Sequence, residues 1–218
     1  MEHGIIITGD NGRKEYLTAS QGVLLQNFSA PAPAPKLYKV EIDGSDGDKD
    51  YTGVFGEVKY KNRTVTATLN IGKHLNYTEQ LEFHSKLLTL WQGENVKLFY
   101  WGTPDRYYYG RLTIGDIKSG VFSISLDAEP YAYIEQRKVY TVTASDVQQT
   151  LTVANRGKTI IPAITVTGEA KIIINGNSFS LSAGTHKIIN IQFAKVSNTS
   201  LTYSGSGTIT FEFQERVL

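Results

Sequence analysis

The 218-residue sequence predicts a mainly β protein made of two units, and three observations predict it. Short runs of alternating apolar and polar residues recur along the whole chain, which is the period of half-buried strands. Tyrosine (13), threonine, valine and isoleucine are abundant and Gly numbers 20, a composition that favours strands joined by turns. Only one segment, about 77–91, carries a convincing helical period. The length fits one large or two modest domains. The texture changes near Arg137, so the expected units are 1–136 and 137–218.

Gly4 to Thr8 is a short apolar strand, and Gly9-Asp-Asn-Gly12 after it reads as a turn. Val23 to Phe28 is a second strand. Ala30-Pro-Ala-Pro-Ala-Pro35 is a stiff extended connector, because proline fixes its own φ and restrains the residue before it. Leu37 to Ile42 alternates and reads as a strand, followed by the flexible acidic tip Asp43-Gly-Ser-Asp-Gly-Asp-Lys-Asp50. Glu57 to Tyr60 and Arg63 to Ile71 alternate again, with Lys61-Asn62 as the turn between them. Val65, Ala67, Leu69 and Ile71 share one face of the second of these.

The helix begins at Asn76-Tyr-Thr-Glu79, where an Asn N-cap has Glu three residues later, a variant of the capping box. Tyr77, Leu81, His84, Leu88 and Trp91, widened by Leu87, form the expected stripe, and Gly93 sits at its C-terminal end. Val96 to Trp101 is the next strand. Thr103-Pro-Asp-Arg106 fits a type I turn with proline in its favoured second place. The chain then returns through Arg106 to Ile114. Alternation here puts Tyr108, Gly110, Leu112 and Ile114 on one face and Tyr107, Tyr109 and Arg111 on the other. Phe122, Ile124 and Leu126 alternate with serines, and the unit closes at Asp127-Ala-Glu-Pro-Tyr131. Eight short strands are expected beyond it: Val139–Thr143, Thr150–Val153, Ala163–Thr167, Ala170–Ile174, Ser178–Leu181, His186–Phe193, Ser200–Tyr203 and Thr208–Phe213. Asn175-Gly176 is a type I′ hairpin signal. That density of strands predicts a small antiparallel sandwich.

Several function classes lose support from composition. Lys+Arg is 22 and Asp+Glu 21, a formal charge of +1, so no dominant attraction to nucleic acid or anionic lipid is expected. With no cysteine there is no disulfide framework, thiolate metal site or cysteine catalysis. No apolar run approaches about 18 residues and no basic-then-apolar leader is visible, so no membrane span is expected.

Asp46, Asp48, Asp50 and Glu57 occupy positions 1, 3, 5 and 12 of a calcium-loop count, which makes them a weak calcium candidate. Tyr51 stands where that loop needs glycine, and no helices flank it. His3, His74, His84 and His186 are scattered without metal-site spacing, and His84 is expected to be a packed core residue. No nucleophile elbow or phosphate loop is present, and no catalytic residue or cofactor is expected. Trp101, Tyr107, Tyr108 and Tyr109 are rich enough in rings to stack on a sugar or base, but alternation divides the tyrosines between two faces. Tyr107, Tyr109 and Arg111 then become candidates for a subunit interface, where Tyr and Arg are enriched.

The order of these segments resembles the distal tail proteins of long, non-contractile-tailed bacteriophages of Gram-positive hosts. The residues that carry the likeness begin with the acidic tip, Tyr60-Lys-Asn-Arg63, Leu90-Trp-Gln-Gly93, Asp105-Arg-Tyr-Tyr-Tyr-Gly-Arg111 and Ala128-Glu-Pro-Tyr131. Further on they include Asn155-Arg-Gly, Pro162-Ala-Ile-Thr-Val166, Ile174-Asn-Gly and Gly205-Ser-Gly-Thr-Ile-Thr-Phe-Glu-Phe213. The resemblance implies an N-terminal β-sandwich with one helix and a projecting β-hairpin arm, here about 37–60, that grips a neighbouring copy. It also implies a C-terminal galectin-like sandwich that can anchor receptor-binding proteins. By that likeness the protein is a non-enzymatic structural component of the virion tail tip, made in the bacterial host cytoplasm. Its implied partners are itself as a homo-hexameric ring, the tail tube protein and a tail-associated tip protein, with DNA passing through without specific binding. Arm residues Tyr38, Val40, Ile42, Tyr51, Val54 and Phe55 join Tyr107, Tyr109 and Arg111 as interface candidates. The alternative reading is a carbohydrate-binding, lectin-like module. Against it, Trp91 and Trp101 both lie outside the C-terminal half, where a galectin-type site would need a tryptophan.

Overall fold

The computed structural model describes residues 3–54, 56–72 and 75–218. The chain is mainly β and divides between Ala132 and Tyr133 into two compact units. The first contains β1 (Gly4–Gly9), β2 (Lys14–Thr18), β3 (Leu24–Ser29), β4 (Lys39–Val40), β5 (Lys49–Asp50) and β6 (Arg63–Asn70). After these come α1 (Tyr77–Trp91), β7 (Asn95–Tyr100), β8 (Thr103–Ile114) and β9 (Val121–Ile134), whose last two residues belong to the second unit.

One sheet, in the order β2-β1-β7-β8-β9-β6-β3, makes the body of the first unit. It curls until β3 at one end lies against β1 and β2 at the other, closing a sandwich over a single core. Phe28 of β3 stacks on Tyr100 of β7, with ring centroids 4.0 Å apart. The core is the inward face of each strand: Ile5 and Ile7, Val65, Ala67 and Leu69, Leu112 and Ile114, Phe122, Ile124 and Leu126 are all buried. This is the face that the alternation selects.

The helix carries the expected cap. Asn76 Oδ1 accepts from the Glu79 N–H at 3.0 Å, and Glu79 Oε2 accepts from the Asn76 N–H at 2.8 Å. Its buried line is His84, Leu87 and Trp91, whereas Tyr77 and Leu81 are exposed, so the expected stripe is correct only in its second half. His84 is a packed residue: its Nε2 lies 2.8 Å from the Gly115 carbonyl and its ring meets the Phe122 ring edge-on at 5.5 Å. His74 lies outside the described residues.

Five other expectations for the first unit need correction. The strand expected at Leu37–Ile42 shrinks to the two residues of β4, and Glu57–Tyr60 is no strand, contributing one bridge between Tyr60 and Pro35. The hairpin turns at Trp101-Gly102 rather than at Thr103–Arg106, since Tyr100 pairs with Thr103. A Cβ on Gly102 would sit 2.5 Å from the Tyr100 ring, so the tight turn needs glycine. Pro104, Asp105 and Arg106 form an irregularity in β8, which tolerates a proline without a ladder N–H. β2, unexpected from the sequence, is the edge strand after the Gly9–Gly12 turn. β9 runs through Pro130 instead of closing there, beyond the last residue, Ala128, that pairs with β6.

β8 and β9 approach closely at Gly110, where a Cβ would lie 2.1 Å from the Asp127 carbonyl oxygen and 2.7 Å from Ala128 Cα. Both obstacles are backbone and cannot swing away. Gly110→Ala is expected to destabilise the first unit by about 1–3 kcal/mol. Denaturant unfolding followed by tryptophan emission measures it.

The second unit, which takes up Tyr133 and Ile134 from β9, contains β10 (Lys138–Thr143), β11 (Gln149–Asn155), β12 (Ala163–Val166), β13 (Ala170–Ile174) and β14 (Asn177–Leu181). It continues with β15 (Gly184–His186), β16 (Ser197–Gly205), β17 (Thr208–Phe213) and β18 (Arg216–Val217). Two four-stranded sheets, β10-β17-β12-β15 and β11-β16-β13-β14, form an antiparallel sandwich. Ile164, Val166, Ile209, Phe211 and Phe213 from one sheet meet Val153, Ile172, Ile174 and Leu201 from the other. Asn175 and Gly176 turn β13 into β14 with φ of 52° and 77°, as a type I′ turn requires. The strand expected at His186–Phe193 ends at His186. Beyond it Ile191 and Phe193 still enter the core, but the carbonyls of Phe193 and Ala194 accept from the Asn155 side chain. Phe193 keeps one bridge, to Ile160.

Candidate self-association surface

The surface centres on the chain between β3 and β6. The incoming leg is the proline run, and the outgoing leg ends at Arg63. Two backbone hydrogen bonds clip the legs together: Lys36 N–H donates to Lys59 O, and Lys61 N–H to Ala34 O, both at 2.8 Å. Farther out, β4 pairs with β5 through Lys39 opposite Asp50 and Val40 opposite Lys49. Tyr38 is held from both sides: its N–H donates to Thr52 Oγ1 and its carbonyl accepts from Tyr51 N–H, each at 2.8 Å. Gly44 and Gly47, at φ of 78° and 69°, turn the chain in the acidic tip. Hydrogen bonds from Thr52 hold the Asp50 carboxyl below the usual carboxylate range.

Among its described residues, 37–54 and 56–60, this arm buries almost nothing in its own chain. Leu37 is 56% exposed, Tyr38 58% and Val54 66%, and Val40, Ile42 and Tyr51 are exposed too. Phe55 lies outside the described residues. A two-stranded ribbon of this size is marginal by itself in water. Six large apolar side chains on one such ribbon is the composition of a surface that another chain covers. Asp46, Asp48, Asp50 and Glu57 form no group of three that could hold a cation, and no such group of His, Asp or Glu exists among the described residues.

The candidates on β8 are engaged within the chain. Tyr107 is buried, its ring 5.4 Å from that of Phe99 and 5.1 Å from Lys97 Nζ. Tyr109 donates its hydroxyl to Asp10 Oδ2 at 3.1 Å, and burial, followed by that hydrogen bond, pushes its pKa up. Arg111 donates to the Gly93 carbonyl at 2.5 Å. Asp10, Arg111, Arg13 and Glu94 line a polar cleft of about 510 Å³ beside the end of α1, with two acids balancing two bases. Trp91, 2% exposed, is buried beneath Gly9, and Trp101, 38% exposed, is flanked by His3 and Tyr100. Trp91 therefore offers no face for a sugar to stack on.

Arg63, which the sequence reading treats only as the head of a strand, is 7% exposed at the root of the arm. Its Nη1 donates to the Pro31 carbonyl at 3.2 Å, and its guanidinium carbon lies 4.9 Å from the centre of the Tyr108 ring. Burial lowers its pKa. Its Nε and Nη2 are buried and find no partner among the described residues.

No protein-family model matches the sequence, and comparison with curated proteins finds no match. Solved structures do match. The SPP1 Dit protein, described as a paradigm of the hub adsorption apparatus in phages that infect Gram-positive hosts, is 18% identical. The match covers 98% of this chain and 99% of that one, with a TM-score of 0.66. Chains of the phage p2 baseplate in its activated conformation, with strontium or with calcium, are each 12% identical. Those matches cover 99% and 100% of this chain and 98% and 99% of theirs, with TM-scores of 0.42 and 0.40. The two baseplate matches are remote, and the fold assignment rests on the first: this chain has the fold of the SPP1 hub protein over 98% of its length.

Proposed function

We propose that this chain is a structural distal tail protein, the ring-building subunit of a phage tail tip, and that it catalyses no reaction. Its ring joins the tail tube to the baseplate and adsorption apparatus of a long non-contractile tail. The observation that carries this reading is the end-to-end likeness of fold to a hub protein, which embraces both units and the arm between β3 and β6. Six copies close the ring, the first unit builds it and the second, galectin-like unit stands available to receptor-binding proteins. The tube protein and a tail-associated tip protein dock on the ring, and DNA passes through it unread.

The exposed arm supports the same reading on physical grounds. An arm that leaves one copy and covers a different patch on the next makes a heterologous contact, and such contacts close into rings when the rotation allows. Extended segments also offer main-chain pairing to a neighbour's sheet edge. Co-expression with the tail tube protein, followed by mass measurement and negative-stain imaging, tests the proposal. Rings of about six copies are expected, and replacing residues 37–58 by a short Gly-Ser linker abolishes them. A wild-type chain that stays monomeric beside the tube protein overturns the reading.

A further inference from the structure

We propose that Arg63 is the residue that aims the arm, tying its incoming leg to the interior of the sandwich. The inference rests on the arm's role in self-association proposed above. The two legs are not anchored alike. The outgoing leg is fastened to β9 by the Asn62 Nδ2 to Asp127 Oδ1 hydrogen bond at 3.2 Å and by the edge contact of Tyr60 with Tyr131 at 6.3 Å. It then enters the sheet as β6. The incoming leg is prolines at 31, 33 and 35, which have no backbone N–H to spend on a ladder. Pro33 of this leg is buried, and Arg63 adds a side-chain hydrogen bond from the body to the Pro31 carbonyl.

The same guanidinium lies over Tyr108, and Tyr108 is tilted against Phe28 at 6.1 Å. Phe28 stacks on Tyr100. One planar group thus links the point where the arm leaves β3 to the rings of β3, β7 and β8. A guanidinium can reach a carbonyl with one nitrogen while its flat face rests on a ring, which a lysine ammonium cannot do.

Stability does not explain this arginine. A buried cation with two donors unpartnered among the described residues is costly. Apolar side chains of similar volume often replace such groups without loss of stability or with a gain. What an apolar chain cannot do is hold the Pro31 carbonyl in one place.

The test uses the absence of cysteine to place a spin-label pair at Ser45→Cys, in the arm tip, and Lys86→Cys, on α1. Distances are measured in monomeric protein. Arg63→Met is expected to melt no lower than the parent, to keep the emission of buried Trp91, and yet to broaden the tip-to-helix distance distribution about twofold. Self-association falls about tenfold as the fraction of correctly aimed arms drops. Arg63→Lys, which keeps the charge but loses the planar fork, broadens the distribution as well and stands in if the methionine variant does not fold. A distribution as narrow as the parent's in either folded variant overturns the inference. Rings that persist after arm deletion overturn the arm's role in self-association instead, and a parent chain that forms no rings overturns the proposed function; both leave the aiming role to be judged on distances alone.

Discussion

Leu112→Asp is expected to unfold the first unit while the second still melts cooperatively. Leu112 is fully buried in β8, between β7 and β9 in the sheet order, and its backbone is bonded at both ends: its N–H donates to Glu94 O and its carbonyl accepts from Gly93 N–H, each at 2.9 Å. The strand cannot turn the new side chain outward without breaking these bonds. Removing the leucine costs about 2–5 kcal/mol. Burying the carboxyl adds several more, whether it stays charged or takes up a proton. The sum reaches the 5–15 kcal/mol that holds an ordinary domain together. Both tryptophans lie in the first unit, so emission reports on it alone. Native-like emission from Trp91 in the variant refutes the core assignment. Circular dichroism follows the second unit, whose residual transition is expected near that of the parent.

The strands legible in the sequence were those with one face in a core. β6 is the clearest case: Val65, Ala67 and Leu69 point inward, and the threonines between them do not. β2 was invisible because an edge strand of five residues buries only Leu17 and Thr18. Two adjacent buried positions at its end have no period to detect. The helix was legible from its cap, yet its first turn was misjudged. Tyr77 and Leu81 extend the stripe by sequence spacing, but burial begins only at His84, where the helix lies over the Gly115 carbonyl and Phe122. Pro104 drew the expected turn to 103–106, whereas the chain turns at Trp101-Gly102, where only glycine fits beside the Tyr100 ring.

The arm explains the opposite error. Leu37 to Ile42 alternates as a strand should, and the structure pairs only two of its residues. The alternation there has no core within the chain to serve. A period without a core in its own chain is the pattern expected of residues that are buried by assembly, so the misjudged strand and the proposed interface are one observation. Arg63 was not legible for a different reason. Alternation places Arg63 on the inward face with Val65, Ala67 and Leu69, but an arginine opening a strand reads as a solvent-facing charge, and its partners, the Tyr108 ring and the Pro31 carbonyl, lie far from it in sequence.

Asn155→Ala is expected to destabilise the second unit by about 3–5 kcal/mol. Asn155 is buried at the end of β11 and does the work of a missing strand. Its Nδ2 group lies 2.9 Å from Lys158 O, 3.2 Å from Phe193 O and 2.9 Å from Ala194 O, and its Oδ1 accepts from Gly157 N–H at 3.0 Å. The segment after β15 thereby obtains the hydrogen bonds that a ladder would supply, and Ile191 and Phe193 stay in the core. Alanine removes the amide from the Ala194 carbonyl and the Gly157 N–H, while the Phe193 carbonyl keeps its Ile160 N–H, and each group left buried without a hydrogen bond costs about 1–3 kcal/mol before relaxation. Asn155→Asp separates the amide's role from its shape. It keeps the acceptor for Gly157 but turns a carboxyl oxygen towards the carbonyls of Phe193 and Ala194. The folded state then favours the protonated acid, which donates where the amide did, so the folded pKa rises above the unfolded value of about 3.9. With more protons bound when folded than when unfolded, the variant loses stability as pH rises above that value. Denaturant midpoints at pH 4 and pH 7, each taken relative to the parent at the same pH, measure the effect. A deficit that is no larger at pH 7 than at pH 4 shows that the amide donor contributes little there and that packing alone holds the segment.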